Sequence, residues 1–329
     1  MAYVAPLIYR LDGLAALPEV TYGTDPVPTA VANAIRPASR VMAKLRIEPH
    51  FENLRDDFAS GSMVPLPPGN AAGWKGILTG FEWSVKGKGA AYTGTAVTGM
   101  IEADPLFQAS GWVGTYSATP TPQYTYAPIT SGLRPSAAIY VWGEGKLFKL
   151  TGCRSRMRIL FPAGKLALAQ FDIEGYVNTA WVDATLPSNF DYNVTFEPPA
   201  VSQAVSIGGI WAPDFETIQL DSGNPAEWLE SGNQPSGLQG YDYGFVAPEL
   251  RVSALSVAQA TYEPLQDKAT IPPTSRSVAL SLNSGVQYNR VALAEATAYV
   301  RSATKKAIGR GFNGWDVLYR LQAPTLLFN

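Results

Sequence analysis

Within Ala137–Tyr176 apolar and polar residues alternate over Cys153–Ile159 and Ala169–Tyr176, and a period of two is the signature of extended strands. Ala138, Tyr140 and Trp142 alternate with Ile139 and Val141, and Gly143–Gly145 supplies a turn. Lys146 to Phe161 then reads as one long strand and Lys165 to Tyr176 as its partner. Pro162, Ala163 and Gly164 join them as a three-residue loop, with Gly164 suited to the left-handed conformation such loops need. If Phe161 pairs with Lys165, one face gathers Cys153, Met157, Ile159, Ala167, Ala169, Phe171 and Ile173. The other gathers Arg154, Arg156, Arg158, Leu168, Gln170 and Asp172, with Arg154 opposite Asp172. A slip of one residue would mix the two sets, so the pattern itself selects the register. Arg154, Arg156, Arg158 and Asp172 form the one concentrated charge feature of the chain. They are candidates for a stripe of fixed polarity at an interface between subunits or along a lumen; a solvated strand face is the alternative.

The rest of the chain predicts a β-dominated α+β fold. Residues 1–39 read as an extended N-terminal arm, with Gly23 and two prolines in Glu19–Thr29 set against helix or strand. In Arg40–Glu48, Val41, Ala43, Leu45 and Ile47 face one way and the polar residues mostly the other, which predicts a half-buried strand. Residues 49–73 form a long loop rich in Pro and Gly, and Trp74–Val85 the returning strand. Met100–Trp112 predicts a short helix, capped by Asp104, opened by Pro105 and stopped by Gly111. Gly114–Gly132 reads as a Thr/Pro/Tyr loop, and Pro225–Glu230 as a short helix in a loop-rich stretch. Glu249–Tyr262, Arg276–Leu282 and Trp315–Leu321 read as strands. Val291–Ala307 has helix formers, with Lys305 and Lys306 where a helix dipole favours them, but its Val, Thr and Tyr suit a strand too. The resulting organisation is an arm over 1–39, a first β domain over 40–180, and a second β-rich region over 181–329 that ends in an arm over 323–329. The halves look loosely alike, each with long strands around one helix, yet no repeat period stands out.

Charged residues make up only 16% of the chain, against about 25% in a typical domain. Such a chain has less surface that must face water, as when copies cover one another; a surface of Ser, Thr, Asn and Gly is the plainer alternative. A net charge of −2 argues against a protein that grips nucleic acid, which needs clustered Lys and Arg. One cysteine, Cys153, and one histidine, His50, exclude a disulfide within the chain and cannot build the usual zinc sites. No phosphate-cradling GxxxxGK[ST] and no GxSxG elbow occurs. Asp56 and Asp57 are adjacent, but neighbours on a strand or loop point apart, so solvated charge is the plain reading. No enzyme and no cofactor is expected. No run approaches the roughly 20 apolar residues of a membrane span, and the N-terminus lacks a clean apolar stretch, so the expectation is a protein made and kept in a cytoplasm, with no membrane partner.

Four pieces, in order, resemble the major tail tube proteins of long, non-contractile-tailed (siphovirus-type) bacteriophages. They are the arm Glu19–Thr29 (EVTYGTDPVPT), the helix Asp104–Trp112 (DPLFQASGW), the strand–turn–strand block Ala137–Tyr176, and the Arg-introduced strand Pro273–Leu282 (PTSRSVALSL). Each is turn and strand chemistry; their order and spacing carry the resemblance, which spans most of the chain. It implies a tube-type β-sandwich or barrel with a flanking helix, in which subunits join their sheets edge to edge into rings. The rings stack into the tail tube through which DNA is ejected. The implied partners are the chain itself, in rings of six or in rings of three with pseudo-sixfold symmetry, and tape measure and tail terminator proteins. DNA would pass without being held. The implied location is the virion tail, assembled in the host cytoplasm. The arms and the 49–73 loop, with Phe51, Arg55, Asp56, Asp57 and Phe58, become candidates for ring stacking. The alternatives are a β-sandwich binding or decoration module, recognising carbohydrate or a capsid, and an enzyme with a carboxylate dyad.

Overall fold

A computed structural model describes residues 12–51, 71–93, 100–130, 132, 134–177, 181–192, 204–224, 226–231, 233, 238–244, 246–258, 261–283, 286–308 and 312–329. The chain is β-dominated, and most of its strands belong to one large antiparallel sheet. The first half supplies β1 (Gly13–Pro18), β2 (Leu45–Phe51), β3 (Ala71–Ser84), α1 (Asp104–Ala109), β4 (Trp112–Ser117), β5 (Gln123–Pro128), β6 (Ala137–Gly143), β7 (Lys146–Pro162), β8 (Leu168–Val177) and β9 (Val182–Asp183). The second supplies β10 (Ala204–Ile207), β11 (Phe215–Asp221), β12 (Ala226–Glu230), β13 (Leu238–Tyr243), β14 (Glu249–Leu255), α2 (Pro264–Ala269), β15 (Ser275–Asn283), β16 (Arg290–Ile308), β17 (Phe312–Leu321) and β18 (Thr325–Phe328).

Strand pairing exposes a repeat that the sequence hides. In the first half β1 pairs β6, β2 pairs β3, β3 pairs β8, β8 pairs β7, and β7 pairs both β6 and β9. In the second half β10 pairs β15, β11 pairs β14, β14 pairs β17, β17 pairs β16, and β16 pairs both β15 and β18. The two sets match partner for partner, and in both the short helix follows the third strand of the set. Each half carries its own inserted hairpin, β4–β5 in the first and β12–β13 in the second. These differing insertions break the spacing along the chain, which is why no period is visible.

One apolar cluster runs through both halves and joins Phe81, Phe107, Met157 and Phe171 to Val252, Val317, Tyr319 and Phe328. Helix α1 sits inside it. The Phe107 ring meets those of Trp83, Tyr126, Phe171 and Phe328, so a helix from the first half rests on the C-terminal strand. No break in the sheet marks position 180, because β7 pairs β11 and β18 pairs β5 across it.

The central hairpin has the expected faces but not the expected register. Arg156, not Arg154, lies opposite Asp172, and Arg154 lies opposite Glu174. The loop is longer than three residues: β7 ends at Pro162 and β8 begins at Leu168, with Gly164 left-handed at φ 69°. The shift is two residues, an even number, so no side chain changes face. Glu144 and Gly145, both at positive φ, form the tight two-residue turn between β6 and β7.

Other expectations are corrected by pairing. Of the expected helix Pro225–Glu230, Ala226–Glu230 is β12, because Leu238–Tyr243 gives it a ladder that overrides its helix formers. Val291–Ala307 lies within β16, which is paired along both sides of its first half. Most of the hairpin β4–β5, from Trp112 to Pro128, falls in the expected loop Gly114–Gly132. Residues 323–329 are not a free arm, since β18 is flanked by β16 and β5 and buries Leu326 and Phe328. Residues 13–39 also lie on their own chain, with Leu14, Ala15 and Ala16 buried. Residues 49–51 and 71–73 are strand, so the expected loop shortens; residues 52–70 lie outside the described residues. Arg40–Glu48 is strand only from Leu45, after a 3-10 turn at Met42–Lys44. Asp104 does not cap α1; it is the first helical residue, with Ala103 at the cap.

Candidate assembly interface

The main path of the sheet runs β2-β3-β8-β7-β11-β14-β17-β16 and presents its polar face away from the core. Cross-strand ion pairs cover that face. Arg158 bonds Asp172, whose other oxygen accepts from Gly80 N at 2.8 Å. Arg156 reaches Asp221 with two nitrogens, at 3.1 and 2.6 Å. Further along, Arg251 pairs with Asp316, Arg301 with Glu249, and Lys306 with Glu216. Hydrogen bonding to Asp221 raises the Arg156 guanidinium above its ordinary value, and the bond from Arg251 lowers the Asp316 carboxyl.

The three arginines therefore have different fates. Arg156 is exposed and Arg158 half-buried, both on the open polar face. Arg154 is buried beneath β13, where it bonds Asp242 at 2.9 Å and donates to Tyr241 O at 2.8 Å. Its guanidinium also stacks 4.6 Å from the Tyr22 ring. Tyr22 comes from the Glu19–Thr29 segment and fits between two glycines. A Cβ on Gly152 would lie 2.9 Å from the ring, and one on Gly240 would lie 2.5 Å from the hydroxyl. Glu19 adds bonds to Gly152 N at 2.7 Å and Ser136 Oγ at 2.6 Å. Arg154 is thus a structural anchor for the hairpin β12–β13 and this segment. Sequence reading missed its partner Asp242 and also Asp221, because both lie more than 60 residues away in a stretch that reads as loop.

Two features of the sheet bear on association. The first is an internal joint. Strand β11 of the second half lies antiparallel to β7 of the first, from Thr217 opposite Pro162 to Asp221 opposite Arg158. Its inward residues Ile159, Phe161, Ile218 and Leu220 are fully buried. The second is a pair of open edges. Strand β2 is the counterpart of β11, and among the described residues it has no neighbour beyond β3. Strand β16 is the counterpart of β7. Along 300–308 it pairs β17 on one side, and no described strand lies on the other, where β7 holds β11. The repeat therefore ends, at each side, in one half of the joint that it makes internally. The far strand of the path, β4, has no counterpart in the second half.

One buried acid, Asp104, accepts from Tyr126 Oη and Gln108 Nε2, both at 2.7 Å, and burial raises its carboxyl above the usual range. Its place at the start of α1 makes it part of the core. Of the expected stacking residues, Phe51 ends β2, whereas Arg55, Asp56, Asp57 and Phe58 lie outside the described residues. Among the described residues no group of three His, Cys, Asp or Glu side chains is placed to hold a metal ion, and no helix is long and apolar enough to cross a membrane. No protein-family model matches the chain, and no curated protein is similar to it.

Proposed function

We propose that the chain is the subunit of a tube that assembles by itself, of the kind formed by major tail tube proteins of long, non-contractile-tailed bacteriophages. The observation that carries this reading is the joint between β11 and β7, flanked by two open edges of the same kind. A sheet that leaves both halves of its own internal joint open, at β2 and along residues 300–308 of β16, can continue into another copy, and closure into a ring removes both of these edges. With two repeats per chain, three copies make a ring of six repeats, each chain giving eight strands to a shared barrel. The second layer of each repeat then packs outside the barrel as a sandwich around the common core.

In this reading the polar face lines the channel. On it Arg156, Arg158, Arg251, Arg301 and Lys306 are tied to carboxylates of other strands, so these cations are not free for a phosphate backbone. DNA can pass such a wall without being held. Tape measure and tail terminator proteins are the expected partners at the lumen and tube end, and residues 52–70 are the candidate stacking segment. The location is the virion tail.

Negative-stain electron microscopy of the purified chain is the direct test. Rings or tubes with threefold or pseudo-sixfold end views are the expected result. A monodisperse monomer at high concentration removes the proposal. Shortening residues 52–70 is expected to leave rings but abolish their stacking.

A further inference from the structure

We infer that neighbouring copies meet with Leu45–Glu48 of one chain antiparallel to Ser302–Lys305 of the next, Arg46 lying directly opposite Thr304. This rests on the ring reading above and adds a register and a partner for each residue.

The register comes from the repeat itself. Ile308 ends β16 as Pro162 ends β7, and the two lie 146 positions apart. The ladders offer an independent check. Strand β6 begins its pairing opposite Cys153 and β15 opposite Tyr299, which are also 146 apart. Counting across the sheet places β2 against β11. Leu45 pairs Leu78, which pairs Ile173; Leu220 pairs Leu250, which pairs Tyr319; and Tyr319 follows Ile173 by the same 146 positions. Leu45 is therefore the counterpart of Leu220. Since Leu220 pairs Ile159 at the joint, Leu45 should pair the counterpart of Ile159, which is Lys305.

Side chains at the two edges suit this contact. Leu45, Ile47 and Ala303 face inward and lie partly buried against the core in the single chain. A neighbouring strand would finish covering them, as β7 covers Leu220. The Lys305 ammonium lies 5.5 Å from the Trp315 ring, so its stem runs along the apolar side.

One half of the edge is closed in the free chain. Thr217–Gln219 are extended in β11, but their counterparts Met42–Lys44 form the 3-10 turn. Lys44 N bonds Val41 O at 2.9 Å, Met42 N donates to Asp12 Oδ2 at 3.1 Å, and the Lys44 ammonium bonds Gly80 O and Glu82. Completing the ladder to Ile308 requires this turn to open. The free subunit thus shows a short, blunted edge to solvent, one of the devices that restrain edge-to-edge aggregation.

Thiol cross-linking reads the register. Chains carrying Arg46→Cys are mixed with chains carrying Thr304→Cys and oxidised; the native Cys153 is fully buried and stays silent. The matched pair is expected to give covalent dimers. The double variant is expected to give a ladder ending at the closed ring. A chain pair with Arg46→Cys and Ser302→Cys, whose Cα atoms would sit diagonally about 7 Å apart or more, is expected to lose that product. The pair Glu48→Cys with Ser302→Cys gives a second matched position should the first variant fold poorly. Cross-linking of the shifted pair alone, or rings in the microscope with no cross-link at either matched position, overturns the register while leaving the ring reading intact. No cross-link together with a native chain that stays monomeric sinks both.

Discussion

The internal joint and the open edges occupy equivalent places in two copies of one strand arrangement, yet their side chains differ. At the joint, Ile159, Phe161, Ile218 and Leu220 are all buried, and Arg156 and Asp221 pair above them. At the edges the corresponding inward positions are Lys305, which carries a charge, Ala307 and Ala43, which are smaller, and Leu45, which matches Leu220. Both halves of the joint lie on one chain, so it closes during folding whatever the concentration. In the proposed ring the edges close only when two copies meet, and until then they face water. In the proposed ring one strand pairing is used twice, once as core and once as a weaker contact between molecules.

The largest expected effect tests that division. Leu220→Ala at the joint should lower the folding stability of the single chain by about 2–5 kcal/mol, because it opens a hole between β7 and β14. Leu45→Ala at the equivalent edge position should cost the single chain about 1 kcal/mol or less, since the residue is only partly buried there. It should instead weaken assembly. Denaturant melts at low concentration measure the first quantity, and sedimentation across a concentration series the second. If both variants lose the same folding stability and assemble normally, the edge is no interface.

The sequence makes the central hairpin legible because Lys146 to Phe161 and Leu168 to Tyr176 alternate over a length that only strands sustain. Its register is not legible, since loop length depends on backbone conformation beyond the glycine. Strand β11, the key to the joint, is short and stands among turn formers, so its single-strand signal is weak. Strand β16 is rich in Ala and carries Lys305 and Lys306 near its end, and only its ladders decide between strand and helix. The arginine stripe is visible as a stripe, but Asp221 and Asp242 reach it through tertiary pairing that no local pattern records.

An intermediate effect is expected at the ion pair beside the joint. Asp221 also accepts from Gly223 N at 2.9 Å, so Asp221→Ala removes a turn bond together with the bidentate contact to Arg156. Arg156 is half exposed and can be solvated again, which limits the loss to about 1 kcal/mol. The melt of the single chain should fall modestly, and the cross-link between Arg46→Cys and Thr304→Cys should survive. Loss of that cross-link would mean that joint and edge are coupled through the sheet rather than independent.

The smallest expected effect concerns the ion pair nearer the open edge, Arg251 with Asp316, which spans β14 and β17. The hydrogen bond from Arg251 holds the Asp316 carboxyl below its ordinary value in the folded chain. A lowered carboxyl stabilises the fold where the acid is ionised in both states. That contribution is present above the ordinary carboxylate range and is lost as pH falls through the lowered folded value. Asp316→Asn should therefore cost a fraction of 1 kcal/mol near neutral pH, because Arg251 is largely exposed and water screens the pair. The gap between variant and native chain should close on acidification. Thermal melts of the two proteins from pH 7 down to about pH 3, at low and high salt, read this directly. A gap that widens as pH falls would reverse the sign and show that Asp316 is held in its neutral form.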